Sequence, residues 1–337
     1  MIRVTFKDVG QGDSIIIEWE DKEKKKIGIV DCVSYAGTNP TLNYIIENEI
    51  HEISFVLLSH PHLDHFSGIS ELLNYCFGNG VNIKNFLHTS NNMPGFWKAA
   101  VEGMEAEEKI IELFLTARKL RDYSGMGILA IQANSVYDDI RLNDEYNIKI
   151  IAPESSHLDH YANRYTEFPA EEEHGNNPHA NWLCTIIKIY SRIHGGYILL
   201  TSDCNKDLLF YKRKEPGEFD GKLILAQCPH HGADSSFKSS FWNLVERADK
   251  TPIVFSVGRN IYGHPSAPVV TSLQKSGYNL YSTNEVGALV GLTEYAESDD
   301  AINHLGIYGT MLPANRLDKF NGEKAFIIDS RGRVSLC

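Results

Sequence analysis

The amino-acid sequence predicts an α/β domain built from two packed β-sheets with helices on their outer faces. Two observations carry this expectation. Short, strand-sized apolar runs alternate with helix-periodic segments from end to end, the pattern of layered α/β domains. In the middle of the chain each apolar run stops at a histidine or an aspartate, as expected where strand ends along one sheet edge build a site. No repeat, low-complexity tract or linker divides the 337 residues, so 1–337 is expected to be a single domain.

The first strands are IRVTFKDV, DSIIIEWE and KIGIVDC, separated by the turn GQG and by the basic cluster KEKKK at 22–26, taken as a solvated hairpin tip. A helix near NPTLNYIIENEI and the strand ISFVLLS follow. Directly after them stands SHPHLDH at 59–65. His60 and His62 alternate, so an extended backbone points both to one side, and Pro61 keeps the pair out of a helix. Asp64 and His65 then open a segment in which Ile69, Leu72, Leu73 and Cys76 recur at helical spacing. One strand-to-helix turn thus gathers three imidazoles and a carboxylate, a donor set that suits zinc, manganese or iron.

IKNFLHTS is the next strand. KIIELFLTARKL has amphipathic helical periodicity, and the helical insertion at about 95–125 that contains it is either an outer covering layer or a lid over the site. Strands resume at NIKIIAPE, LCTIIKIYSR and GGYILLTSDC, the last ending at Asp203. KLILAQC leads to His230 and His231, PIVFSV leads to GRNIYGHPSA with His264, and KAFIIDSRGRVSL closes the chain. Alone, Asp203 is explained as a turn residue, the PHHG pair as a surface loop and His264 as a turn cap. Together with the first cluster, that explanation needs several independent coincidences, and a metal site does not.

Composition narrows the partners. Hydrophobic residues make up 42% and charged residues 23%, as in ordinary globular domains. A formal net charge of −12 disfavours a broad basic groove tracking duplex DNA, which is held by many Lys and Arg contacts to phosphate. Bound divalent cations would still make a site locally attractive to phosphate. The longest apolar runs are strand-sized, so no membrane segment is expected, and the charged N-terminus MIRVTFKDVGQGDS does not suit a signal peptide. Six cysteines without a CxxC pair fit reduced thiols in the cytoplasm.

HPHLDH at 60–65 matches the HxHxDH signature of the metallo-β-lactamase fold. With DVGQGDS at 8–14, LLTSD at 199–203, PHHGADSS at 229–236 and SVGRNIYGHP at 256–265, it resembles, in order, the metallohydrolase domain of ComEC-type competence proteins. That group is similar to the phosphorylcholine esterase branch, and the resemblance covers roughly the first 290 residues. Three departures spare the expected ligands. Ser202 stands where the family has glycine, Ala233 ends the family's HHGS, and the NxxS element appears as Asn181 to Cys184.

The resemblance implies an αββα sandwich of two mixed sheets with a dinuclear site on one edge, holding two divalent metals, Zn or Mn. By it, His60 and His62 bind the first metal, Asp64 and His65 the second, Asp203 bridges both, and His230 or His231 completes the second. A third imidazole for the first metal fits His179 best, with His157, His160 and His174 competing. Asp13 and Asp31 are expected to orient ligand histidines, unless they merely form turns. Two metals lower the pKa of a shared water; Asp64 would orient it. His264 would hydrogen-bond a non-bridging oxygen or protonate the leaving group. The expected activity is a phosphodiesterase or nuclease acting on single-stranded or short nucleic acid. Alternatives are a small-molecule hydrolase of a phosphodiester, lactone or amide, and a non-catalytic metal-bound module of a larger assembly. The substrate, any protein partner and the pathway stay open at this point.

Overall fold

A computed structural model describes residues 1–89, 104–134, 139–159, 180–290 and 317–337. The chain starts with β1 (Ile2–Phe6), β2 (Ile15–Asp21) and β3 (Lys24–Val30), joined as antiparallel neighbours. Lys22 and Glu23, both at positive φ, form the two-residue turn between β2 and β3. The basic cluster is therefore only partly a tip. Lys24 to Lys26 lie within β3, where Lys25 pairs with Glu18 and Lys26 with Glu52.

Helix α1 (Pro40–Glu47) is capped by the Asn39 side chain, which accepts the Leu42 amide. Next come β4 (Glu52–Ile53), β5 (Phe55–Leu57), the one-turn α2 (Leu63–Phe66) and α3 (Ile69–Gly78). Ile69, Leu72, Leu73 and Cys76 are all buried, as their spacing predicts. β6 (Asn82–Ile83), β7 (Asn85–His88), α4 (Met104–Ser124) and β8 (Gly127–Ala130) follow. Helix α4 buries Ile110, Leu113, Ala117 and Leu120 in the same cluster as α3, so its described part is an outer layer. The first part of the predicted insertion, up to residue 103, lies outside the described residues.

The second half contributes β9 (Asp139–Arg141), β10 (Tyr146–Ala152), β11 (Ile186–Ser191), β12 (Gly196–Leu200), α5 (Lys206–Lys212) and β13 (Lys222–Gln227). It continues with α6 (Ser239–Leu244), β14 (Pro252–Phe255), α7 (Ala267–Lys275) and β15 (Asn279–Ser282). After α8 (Leu317–Phe320), β16 (Lys324–Ile328) and β17 (Val334–Leu336) return to the first sheet beside β1.

Among the described residues there are two large mixed sheets, ordered β17-β16-β1-β2-β3-β5-β7-β8 and β15-β14-β13-β12-β11-β10-β9, with a small β4-β6 pair. Alternation explains the layering. Ile15, Ile17, Phe55 and Leu57 meet Ile198, Leu200, Leu225 and Val254 between the sheets. Their neighbours Ile16, Val56 and Leu58 face α1, α3 and α4, while Tyr197, Leu199 and Phe255 face α5, α6 and α7. Strands covered on both faces must be apolar on both, hence the unbroken runs in the sequence. The pairs β3-β5-β7 and β12-β13-β14 are parallel, so their C-terminal ends gather on one edge. That edge is where parallel α/β sheets place their ligands.

Candidate metal centre

Three strand ends and one short helix build the site. β5 runs through Leu58 to Ser59 and His60, and α2 carries Asp64 and His65. β12 ends at Asp203, and β13 ends in the turn containing His230 and His231. Asp31, Ser202, His230 and His231 have φ of 58°, 46°, 47° and 55°, a region non-glycine residues seldom adopt. Strained residues held by their surroundings concentrate at functional sites. Gly12, at φ 133°, lets the first loop pass so close to the Asp64 carbonyl that a Cβ would sit 2.4 Å from its oxygen. The Asp13 amide then donates to that oxygen at 2.9 Å.

Two groups of potential metal ligands result, with donor atoms in each within 4.8 Å of one another: His60, His62 and Asp203, and Asp64, His65, Asp203 and His231. Asp203 is common to both. In the second group, His65 Nε2 lies 3.4 Å and His231 Nε2 lies 3.5 Å from Asp203 Oδ1, and His231 Nε2 is 3.4 Å from Asp64 Oδ2. His65 Nε2, His231 Nε2 and Asp203 Oδ1 are all buried with no hydrogen-bond partner among the described residues. Orphaned buried donors are costly. Ligands about 2.1 Å from a tetrahedral cation stand about 3.4 Å from one another, which is the separation seen here. The residues present fit a divalent cation.

The other ring nitrogens are tied down. His65 Nδ1 donates to Asp31 Oδ2 at 2.7 Å, and Asp31 also accepts the Ser59 amide and hydroxyl at 2.8 and 2.6 Å. His231 Nδ1 donates to the Ser256 carbonyl at 2.6 Å. Both leave Nε2 facing Asp203, an orientation typical of metal-binding imidazoles. Asp13 stands farther from the ring, 3.6 Å from His65 Nδ1, and accepts the Gln227 side-chain amide at 2.6 Å. Asp13, Asp31 and His65 form a third compact group, but the short Asp31–His65 bond makes it a support.

Electrostatics without a metal tell the same story. Burial opposes charge on His65, but Asp203 and Asp31 outweigh it and hold that imidazole well above its usual range. His231 is likewise raised, to about 9, because Asp203, Asp64 and Asp13 overcome burial. Asp203 is held well below the usual carboxylate range: burial would raise it, and His231, His65 and His230 prevail. Protons on imidazoles here compensate carboxylates as a cation would. His60 is pushed well below its usual range by burial and by His65 and His62, so it is neutral, the form that ligates. Burial raises Asp13 to about 6.

Of His230 and His231, one of which was expected to complete the second metal, only His231 belongs to a ligand group among the described residues. Both lie in a turn with positive φ, where alternation does not apply, and both approach Asp203. His230 Nε2 is 3.3 Å from Oδ2, and His231 takes Oδ1. His157 caps a local turn, its Nδ1 accepting the Glu154 amide at 3.0 Å. His160, His174 and His179 lie outside the described residues. His264 stands beside the centre, its ring 5.9 Å from that of His230. Burial, then His230 and His231, push it below its usual range, so it is a neutral hydrogen-bond donor near pH 7.

Sequence reasoning missed Ser59, Ser202 and Gln227. Ser202 Oγ lies 2.8 Å from Ser59 Oγ and 3.2 Å from His60 Nδ1. Gln227 Oε1 accepts the amides of Thr201 and Ser202 at 3.0 Å each, fixing the backbone that presents Asp203. A glutamine ending the apolar run LILAQ was the available signal. The positive φ of Ser202 also explains why glycine suits that place in the resembling family.

Two mixed sheets face to face, helices outside, and the HxHxDH turn on the shared edge decide the architecture. The fold is the metallo-β-lactamase fold. No family model matches the chain, and no curated protein matches it. Solved structures similar to it include the metallo-β-lactamase-fold protein YhfI from Bacillus subtilis, at 11% identity over 83% of this chain and 95% of that one, TM-score 0.45. Tm1679, a metal-dependent hydrolase of the β-lactamase superfamily, is 11% identical over 84% and 96%, also at 0.45. Zn²⁺-bound PqqB from Methylobacterium extorquens is 10% identical over 84% and 98%, again at 0.45. At such identities these structures say nothing about what this chain acts on. No helix among the described residues is long and apolar enough to cross a membrane.

Proposed function

We propose that the chain is a metal-dependent hydrolase, a phosphodiesterase acting on single-stranded or short nucleic acid. The carrying observation is Asp203, shared by two ligand groups, in the second of which the buried His65 Nε2, His231 Nε2 and Asp203 Oδ1 lack hydrogen bonds among the described residues. His60, His62 and Asp203 would hold one divalent cation, and Asp64, His65, Asp203 and His231 the other. When bound, such a pair supplies a water of lowered pKa and neutralises charge on phosphate. Around it, Asp31 and the Ser256 carbonyl fix the imidazoles, and Asp64 orients the attacking water. His264 donates to a non-bridging oxygen or toward the leaving group. His179 remains our candidate for a third imidazole at the first cation.

The nucleic-acid preference rests on the ordered likeness of five motifs to ComEC-type domains. A cytoplasmic setting suits the six free cysteines, five of them buried. The net charge of −12 favours a second reading, a small-molecule hydrolase. Purified protein with Mn²⁺ or Zn²⁺ should be assayed on single-stranded DNA, duplex DNA, bis-p-nitrophenyl phosphate and a lactone panel. We expect turnover of the phosphodiesters, single-stranded over duplex. Turnover of lactones alone would establish the second reading instead.

A further inference from the structure

The loop that follows β14, GRNIYGHP at 258–265, exposes what the rest of the site hides. Ile261 is 94% and Tyr262 69% exposed, two large apolar side chains adjacent in the loop that carries His264. They are not on a loose tip. Asn260 Oδ1 accepts the amides of Tyr262 and His264 at 3.0 and 3.1 Å, and its Nδ2 donates to the carbonyls of Gly258 and His264 at 2.8 and 3.0 Å. Gly258 presses on the first loop so tightly that a Cβ would sit 2.3 Å from the Gly10 carbonyl carbon. The backbone is thus fixed in advance, and an occupant need not order it.

The aromatic surface is continuous with the chemistry. The Tyr262 ring lies 5.7 Å from His264 at 20°, His264 lies 5.9 Å from His230, and His230 Nε2 is 3.3 Å from Asp203. One face of Tyr262 rests on His264; the exposure leaves the other to solvent. In the same loop Arg259 is exposed and forms no ion pair among the described residues, in a chain of net charge −12. A flat exposed ring and an unneutralised guanidinium in one loop are the pairing that binds single-stranded nucleotides, by stacking on the base and attraction to phosphate.

We propose that this loop selects the substrate: Tyr262 stacks on the base next to the scissile phosphodiester, and Arg259 contacts a flanking phosphate. The proposal rests on the phosphodiesterase reading and narrows it to esters that carry a nucleoside. Tyr262 is a positioning residue, so its loss should appear in KM.

The test compares thymidine 5′-(p-nitrophenyl phosphate) with methyl p-nitrophenyl phosphate, which share charge and leaving group and differ in the base. Y262A should raise KM for the thymidine ester about 5- to 150-fold more than for the methyl ester, the size of a base–aromatic stack. Y262F should behave as the parent, and Tyr123→Ala, an exposed tyrosine on α4, serves as the control. Calorimetry gives a second readout: thymidine 5′-monophosphate should bind the parent more tightly than ribose 5-phosphate, and Y262A should abolish the difference. R259A should weaken a thymidine trinucleotide and flatten its salt dependence by about 0.7 in log–log slope, one phosphate contact. Equal losses on both esters, or no base preference in binding, would overturn the proposal. Failure of the parent to cleave either ester would sink the phosphodiesterase reading alone, because the calorimetric comparison still judges the loop.

Discussion

The metal centre and the loop that carries His264 are built on opposite terms. His60, His65, Asp203 and His231 are almost wholly buried, and each is fixed by a carboxylate, hydroxyl, carbonyl or backbone constraint. Ile261, Tyr262 and Arg259 sit a few residues beyond, equally well fixed through their backbone yet open to water. The first arrangement tolerates unpartnered donors because a cation can satisfy them; the second tolerates exposed apolar surface because a substrate can cover it. Chemistry and recognition thereby occupy different environments on one sheet edge. Changes in the buried part should remove metal, and changes in the open part should alter selectivity.

The sharpest way to break this contrast is Asp203→Ala. With the shared carboxylate gone, metal content should fall from about two per chain toward zero, with activity, by elemental analysis. Full occupancy in that variant would remove Asp203 from its shared position. His264→Ala tests the boundary between the two regions. It should keep both metals and the melting temperature yet lose about a hundred- to a thousand-fold in kcat, the cost of removing a donor to developing charge. A similar loss for good and poor leaving groups would make it a donor to a non-bridging oxygen. A markedly greater loss with poor ones would make it a proton donor, and loss of metal would make it a ligand.

Asp31→Asn disturbs most directly the bond that aims His65, and reaches His60 only through Ser59. Affinity at the second group should drop about 10- to 100-fold in chelator competition, the usual effect of removing such a support. An unchanged affinity would mean that burial alone orients the ring. Smallest of all should be Ser202→Gly. Glycine relieves the positive φ, worth about 1–2 kcal/mol, and loses the hydroxyl near His60, worth about 1 kcal/mol. The melting temperature should move by about 3 °C or less. A large fall would show that the Ser59–Ser202–His60 contact is central to the first ligand group.

The sequence by itself determined whatever depends on near neighbours. HPHLDH brings His60 and His62 together and opens a helix with His65 because the relevant atoms lie within one strand-to-helix turn. The two sheets were legible because strands covered on both faces need apolar residues on both, and the chain supplies them in unbroken runs. Only the tertiary structure decided how distant strand ends divide Asp203 between them. The backbone leaves the extended form at His230 and His231, so alternation loses its meaning there. Serines and a glutamine became part of the site through contacts across more than a hundred residues, such as Ser59 with Ser202 and Gln227 with Asp13. Side chains that common are informative only once folding has removed water and left each hydrogen bond to a particular partner.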